Sequence, residues 1–347
     1  MNNRKKTKVT IHDIAKQLNT TASTVSRALQ DHPRISQAMK KAVLELAEKL
    51  SYQPNFIASS LRKGHGNTIG VVIPRIDRNF FSSVIGGIED VAAEAGYNVL
   101  ICQSYDSEAK EKNIIETLIN GKVDGVLVSI ASGTADINHF KQTILKGVPL
   151  IFFDRAPSEI NVSKVEIDDF LGAHMAVSHL IEQGCRNIAH FSGPLNVSIY
   201  ANRFLGYKAA LADHGIEYND QLLMQEVVTS DSGADAVDRL LRLNPIPDAI
   251  FSASDFSALG AVIALKKRNI VIPNEMAVVG FANEPYASIL EPSLSSVDQH
   301  SREVGQAAAK LIFEEINDSG NPFVAKRILL TPELIIRCTS KKNIKEK

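Results

Sequence analysis

Along the first fifty residues, apolar positions recur at helical spacing in three short groups. Ile14 and Leu18 form the first and Val25 and Leu29 the second. Met39, Val43, Leu46, Ala47 and Leu50 form the third. The spacing predicts three short helices. Thr10-x-x-Asp13 opens the first as a variant of the capping box, and Asn19-Thr20 ends it after Leu18. Thr21 caps a second helix over 22–30, Asp31-His32-Pro33 stops it, and Ser36 begins the third. Ala15 is small where two helices would cross closely. A turn of three or four residues between the first two helices matches a helix-turn-helix. A plain three-helix bundle has the same stripes.

From residue 68 the pattern changes. The run 68–74 is continuously apolar, as in a buried parallel strand, and a helical pattern follows over 80–95. Strand-like runs recur at 98–103, 123–128 and 149–153. The rhythm restarts at 187–192, then 225–228, 249–252 and 277–280. Strands alternating with one-sided helices predict parallel sheets covered on both faces. Ala93-Glu94-Ala95-Gly96-Tyr97 and Ala212-Asp213-His214-Gly215-Ile216 end matching helices, which supports two similar halves. Stretches 295–299 and 326–337 come too late for the second sheet alone and are expected to cross between halves. Gly64-His65-Gly66 reads as a flexible joint. It is no dinucleotide fingerprint, because Ile69 takes the place of the last glycine and the strand follows the glycines.

Length and composition narrow the class. At 347 residues, with 44% hydrophobic and 22% charged, the chain has two or three globular domains. Disorder, collagen and coiled coil are poor descriptions of it. No apolar stretch of about 18 residues exists to span a membrane. Residues 1–10 lead into no apolar segment, so a secretory signal is not expected and the cytoplasm is. Three scattered cysteines without CxxC fit neither a disulfide scaffold nor a zinc ribbon. Charge is uneven: residues 1–66 hold 12 Lys/Arg and 4 Asp/Glu, a net +8, so the remainder carries −9 of the total −1. A basic head on an acidic body predicts a polyanionic partner for the head.

The second helix adds a surface to that charge. Ala22, Ser23, Thr24, Ser26 and Arg27 are small or polar and include no acid, so the helix can lie deep in a major groove. Arg27 can reach guanine or phosphate, and Ser23 base edges or phosphate. Here the residues carry a likeness. VTIHDIAKQLNTTASTVSRALQDHPRIS, then LSYQPNFIASSLRKG, then TIGVVIP, resembles the lactose/galactose repressor (LacI/GalR) family, and the likeness runs the length of the chain. T-V-S-R-x-L and Y-x-P-N-x-x-A-x-x-L are specific together.

The resemblance implies an N-terminal all-α helix-turn-helix head and an α/β two-lobed body like the periplasmic binding proteins, with two parallel-sheet subdomains. It divides the chain into 1–54, a hinge helix and linker at 55–66, and an effector-binding and dimerisation body at 67–347. It implies a homodimeric, allosteric regulator on near-palindromic double-stranded operator DNA, probed by Thr10, Thr21, Ala22, Ser23, Ser26 and Arg27. Asn55 can cap a helix over 56–62, too short to be stable alone in water, so its two-fold mate and DNA are expected to support it. Ala58 is small enough for close contact. Leu61, by the resemblance, wedges into the minor groove; otherwise it is a packing residue.

Ligands of such sheets bind beyond the carboxyl ends of the strands. That nominates Phe80 and Phe81 for stacking on a sugar or base, against helix-start packing. Asp154 can accept two hydroxyl bonds, cap a helix or pair with Arg155. Arg203 lies in GPLNVSIYANRFLGY, whose family counterpart contacts effector, and offers a fork of donors. Ser254 and Asp255 end a second-lobe strand, although Asp255 can instead cap the next helix. Gln299 follows in the late crossover. One departure stands out: the family often has an acid two residues after the glycine of its final second-lobe strand, and here that residue is Ala282. Asn283 or Glu284 can replace it.

A carbohydrate or sugar phosphate is the expected effector, with a purine or nucleoside as the alternative. A sugar-binding transport protein fits the body alone. A nucleotide-using enzyme lacks its phosphate loop, and there is no G-x-S-x-G. The histidines are scattered, with His174 and His179 badly spaced for a shared metal, and Asp168-Asp169 reads as a loop and helix-start pair. No cofactor, metal or membrane contact is expected. Residues 341–347 supply no apolar heptads, which favours a dimer over a tetramer.

Overall fold

The computed structural model describes residues 9–29, 31–50, 52, 66–157, 159–318 and 324–342. Asn55, Ala58 and Leu61 lie outside them. Contacts divide the chain into two compact units, 1–66 and 67–347.

In the first unit, α1 (Ile11–Gln17) starts at Thr10, whose backbone N–H and hydroxyl both donate to the Asp13 carboxylate at 2.8 Å. These bonds hold the Asp13 carboxyl below its usual range, the backbone bond most strongly. Asn19 turns the chain with φ 48. α2 (Ala22–Leu29) begins with Thr24 N–H donating to the Thr21 hydroxyl at 3.2 Å. α3 (Gln37–Lys49) is capped by Ser36, which accepts from Met39 N–H. Ile14, Ala15, Val25, Ala28, Val43 and Ala47 make the buried core, with Leu18, Leu29 and Leu50 packed against it. Lys40 buries its stem and reaches Asp31 at 2.7 Å, fastening the turn after α2.

The second unit holds two lobes. In the first, β1 (Thr68–Ile73) pairs in parallel with β2 (Asn98–Gln103) and β3 (Gly125–Val128). β4 (Leu150–Phe153) and β5 (Lys164–Ile167) continue that sheet. Alternate residues of β1 serve two cores: Ile69, Val71 and Ile73 face one side and Val72 the other. The helices are α4 (Asn79–Glu94), α5 (Glu108–Asn120) and α6 (Asn138–Leu145).

The second lobe opens with α7 (Asp169–Glu182) and builds its sheet from β6 (Ile188–Phe191), β7 (Leu223–Met224), β8 (Ala249–Ser252) and β9 (Ala277–Phe281). α8 (Ser198–Asp213), α9 (Ser230–Leu240) and α10 (Asp255–Lys267) join these strands. β10 (Ser295–Asp298) pairs with β9 inside this sheet. α11 (Ser301–Asn317) then returns to the first lobe and crosses α4 closely. Gly87 faces the backbone of Arg302 there and Gly305 the backbone of Val84, so a Cβ at either would force the helices apart. β11 (Arg327–Leu330) pairs with β5, and β12 (Glu333–Ile335) runs antiparallel to β10. The chain therefore crosses between lobes after β5, after β10 and between β11 and β12.

The structure corrects two expectations and bears out a third in finer form. The stretch 295–299 is not itself a crossing: β10 belongs to the second sheet and the passage follows it. The stretch 326–337 does cross between lobes, as two strands parted at Thr331-Pro332, one in each sheet. The strand expected at 225–228 is the two-residue β7 at Leu223–Met224, and Glu226 turns with φ 62. Val227 is apolar because it packs into the core from that loop. β5 was not legible, because Lys164 and Glu166 interrupt its apolar run.

Candidate functional site

In the head, α2 turns Val25 and Ala28 inward and leaves Thr21, Ser23 and Arg27 exposed, with Ala22 and Ser26 half-buried. The Thr21 hydroxyl lies 2.9 Å from Ser23 Oγ and 3.0 Å from Thr24 Oγ1, so it organises the helix start. The Thr10 hydroxyl is likewise committed to Asp13. Lys16, Arg34, Lys41 and Lys49 are further exposed cations.

In the body, a cleft of about 250 Å³ opens between the lobes at the carboxyl ends of both sheets. Phe80, Phe81, Asp154, Arg203, Ser254 and Gln299 all line it. Arg203, on α8, is only 4% exposed. Its Nε and Nη2 lie 2.7 Å from Asp169 Oδ1, its Nη1 donates to the Ala253 carbonyl at 2.7 Å, and its plane covers Phe281 at 3.7 Å. Burial pushes the Asp169 carboxyl up to about 6 even with Arg203 opposing the rise. Asp154 turns out of β4 with φ 60 and accepts from Ser129 Oγ at 2.9 Å. Its burial also raises its pKa, partly offset by Arg155. Arg155 donates to Asp106 at 2.9 Å and keeps its Nε 3.9 Å from Asp154 Oδ2, the pairing expected from the sequence. Arg78 lies over the Phe256 ring at 3.8 Å, joining a first-lobe residue to a second-lobe one.

Two expected residues lie elsewhere. Asp255 is fully buried inside the second lobe, where it accepts from Ser296 Oγ at 2.7 Å and Glu284 N–H at 2.8 Å. Desolvation pushes it up to about 6. Ser254, not Asp255, caps α10. Asn283 binds Asp298 at 2.7 Å and Arg337 at 2.8 Å and ties the crossover together. Ala282 and Asn283 both take positive φ, 129 and 50. That double turn re-aims the chain so that Glu284 lines the cleft. Glu284 is 5% exposed, and burial beside Asp255 pushes its carboxyl up to about 7, with Arg78 opposing. Among the described residues, no group of His, Cys, Asp or Glu is arranged to hold a metal.

Residues 66–338 match the family described as periplasmic binding proteins and sugar binding domain of LacI family, and residues 10–55 match bacterial regulatory proteins, lacI family. The chain belongs to the LacI family. Catabolite control protein A of Priestia megaterium is 33% identical over 89% of this chain and 93% of its own length. The ribose operon repressor of Halalkalibacterium halodurans is 32% identical over 96% and 97% respectively. A solved complex of the transcriptional regulator CelR with cellobiose superimposes with a TM-score of 0.73 at 28% identity, covering 96% of this chain and all of that one. This LacI-family chain is a DNA-binding transcriptional regulator that carries a helix-turn-helix head and a two-lobed ligand-binding body.

Sequence reasoning missed Asp169, read only as part of a helix start, and passed over Arg78 and the Asp106–Arg155 pair. Each acts through a partner far along the chain, 34 residues away for Asp169 and 49 for Asp106. Only the departure at Ala282 pointed toward Glu284, and it left Asn283 equally eligible.

Proposed function

We propose that this regulator is a homodimeric repressor, without enzymatic activity, that acts in the cytoplasm and releases or grips a near-palindromic operator according to a sugar bound between its lobes. The cleft carries this reading. Asp154, Arg203, Ser254, Gln299 and Glu284 converge there with hydroxyl-matching donors and acceptors, framed by aromatic rings. Asp154 and Glu284 give the cleft carboxyl oxygens that can accept from sugar hydroxyls. A purine needs an open aromatic face, and the described lining leaves it Tyr200, since guanidinium groups cover Phe256 and Phe281, and Phe80 and Phe81 pack into the first-lobe core. Residues 1–54 read the DNA, 55–66 form the hinge, and 67–347 bind effector and the second copy. Leu100 and Ile101, exposed on the edge strand β2, with Ile263 and Ile289 on the second lobe, support pairing of bodies. Ligand and operator are then coupled through one two-state element.

The test uses the full-length protein and DNA from the region upstream of its own gene. Thermal-shift screening identifies ligands among neutral sugars, sugar phosphates and nucleobases, and operator affinity is read with and without each hit. A neutral sugar that shifts both melting and operator affinity is expected. A nucleobase acting alone overturns the sugar reading.

A further inference from the structure

Beside the cleft lies a second chamber of about 450 Å³, and Arg155 is a wall of both. Its first-lobe side is the loop after β3, from Ile130 to Ala135, and its second-lobe side is Asn196 to Ser198 with Ala201 of α8. Both sides follow strand carboxyl ends, so the chamber belongs to the same crevice between lobes. The loop is preformed. Glu111, fully buried, accepts from Ala131 N–H at 2.6 Å and Thr134 Oγ1 at 2.8 Å, with His139 Nε2 at 3.1 Å. Asp106 accepts from Ser132 N–H at 2.8 Å and holds Arg155 at the same time. Arg155 is nine-tenths buried, and its Nε makes no hydrogen bond, facing Asp154 Oδ2 only at ion-pair range, 3.9 Å. A buried donor without a hydrogen bond is costly, and a ligand hydroxyl placed between Nε and Asp154 would accept from the one and donate to the other.

Size points the same way. Ligand pockets typically enclose about 300–1,000 Å³. The cleft alone, at about 250 Å³, falls just short, and the two chambers together reach roughly 700 Å³. The second chamber mixes hydroxyls of Ser132, Thr134 and Ser198 with the apolar Ile130, Ile137 and Val197. That mixture suits a sugar ring, which has polar edges and apolar faces.

We propose that the effector spans both chambers and is a disaccharide or similarly extended glycoside, with its second ring between the Ile130 loop and Ser198 and Arg155 hydrogen-bonding at the junction. The proposal rests on the sugar reading of the cleft. Calorimetric titration of the full-length protein with glucose, galactose, cellobiose, maltose, lactose and adenine tests it. Ala201→Trp fills the second chamber from one side, and Ser132→Trp fills it from the other should the first variant not fold. A disaccharide is expected to bind at least about tenfold more tightly than its component monosaccharide, and filling the chamber is expected to erase that advantage while leaving the monosaccharide within about twofold. A monosaccharide that binds as well as its disaccharide, or an advantage that survives both fillings, overturns the second ring and leaves the sugar cleft intact. Binding of adenine alone, or of no sugar, overturns both readings.

Discussion

The two binding surfaces of this regulator are built on opposite principles. On the head, Thr21, Ser23 and Arg27 stand exposed on a helix whose other face is core. Among the described residues no hydrogen bond or ion pair holds the Arg27 guanidinium, and binding of a basic head to a polyanion is expected to weaken with salt. In the body, Arg203 is buried, bound to Asp169 and Ala253, and stacked on Phe281 by the protein's own groups. The head gains adaptability on a surface of phosphates and bases. The cleft gains a fixed geometry, at the cost of carrying buried charges that depend on one another.

Breaking the buried side should have the largest effect. Arg203→Ala strands the Asp169 carboxyl in the interior, and breaking such a pair costs about 3–5 kcal/mol. Chemical denaturation should report that loss with abolished ligand binding, while Asp169→Asn should cost less and weaken ligand binding by letting Arg203 drift. Equal, small effects for both variants would mean that the pair is not the cleft's anchor.

Next in size is a pH effect confined to the body. His190 is fully buried among Phe204, Tyr207 and Phe251, and its Nδ1 lies 3.1 Å from the Phe251 carbonyl. Burial pushes its pKa down to about 4 from an ordinary 6.5. The unfolded chain therefore binds the proton first as pH falls, so stability is full above about 6.5 and drains away toward about 4, a span worth ~3 kcal/mol. Asp169 and Asp255, pushed up to about 6, act in the opposite sense, since folding favours their protonated forms. The His190 part is isolated by His190→Phe, whose stability curve between pH 7 and 4 should lose that downward slope. Parallel curves for the two proteins would assign the acid sensitivity elsewhere.

On the head, Arg27→Ala should weaken operator binding by about 1–3 kcal/mol and relax preference at one position if Arg27 reads a base. Uniform weakening across operator variants, with a shallower salt dependence, would make it a phosphate contact instead. The smallest effect is expected at the cleft's rim. Arg75 and Asp77 pair at 2.5 Å but are both about half exposed, so Arg75→Ala should change stability by less than about 1 kcal/mol. A larger loss would show that the rim shares the buried character of the Arg203 site.

Much of this was legible along the chain. Thr10, Thr21 and Ser36 as helix starts, the stripe of Val43 and Ala47, and the apolar runs of β1, β4 and β8 are local signals, and local backbone preference realises them. The cleft was legible in part, because strand ends point to one edge of a parallel sheet and so nominate Asp154, Ser254 and Phe80. Asp255 and Asn283 were misplaced because neighbours in sequence point opposite ways once a turn is drawn.

The sequence by itself determined the helices of the head, its excess of positive charge, and the strand–helix alternation of the body, because periodicity and composition are properties of short segments. Tertiary structure decided which carboxylate meets which guanidinium. It joined Asp169 to Arg203 and Asp106 to Arg155, turned Glu284 into the cleft through two positive φ angles, and sealed Asp255 against Ser296. Those outcomes depend on distant segments meeting at a few ångströms, where a buried charge is tolerable only beside its partner, and no stretch of the chain records that meeting alone.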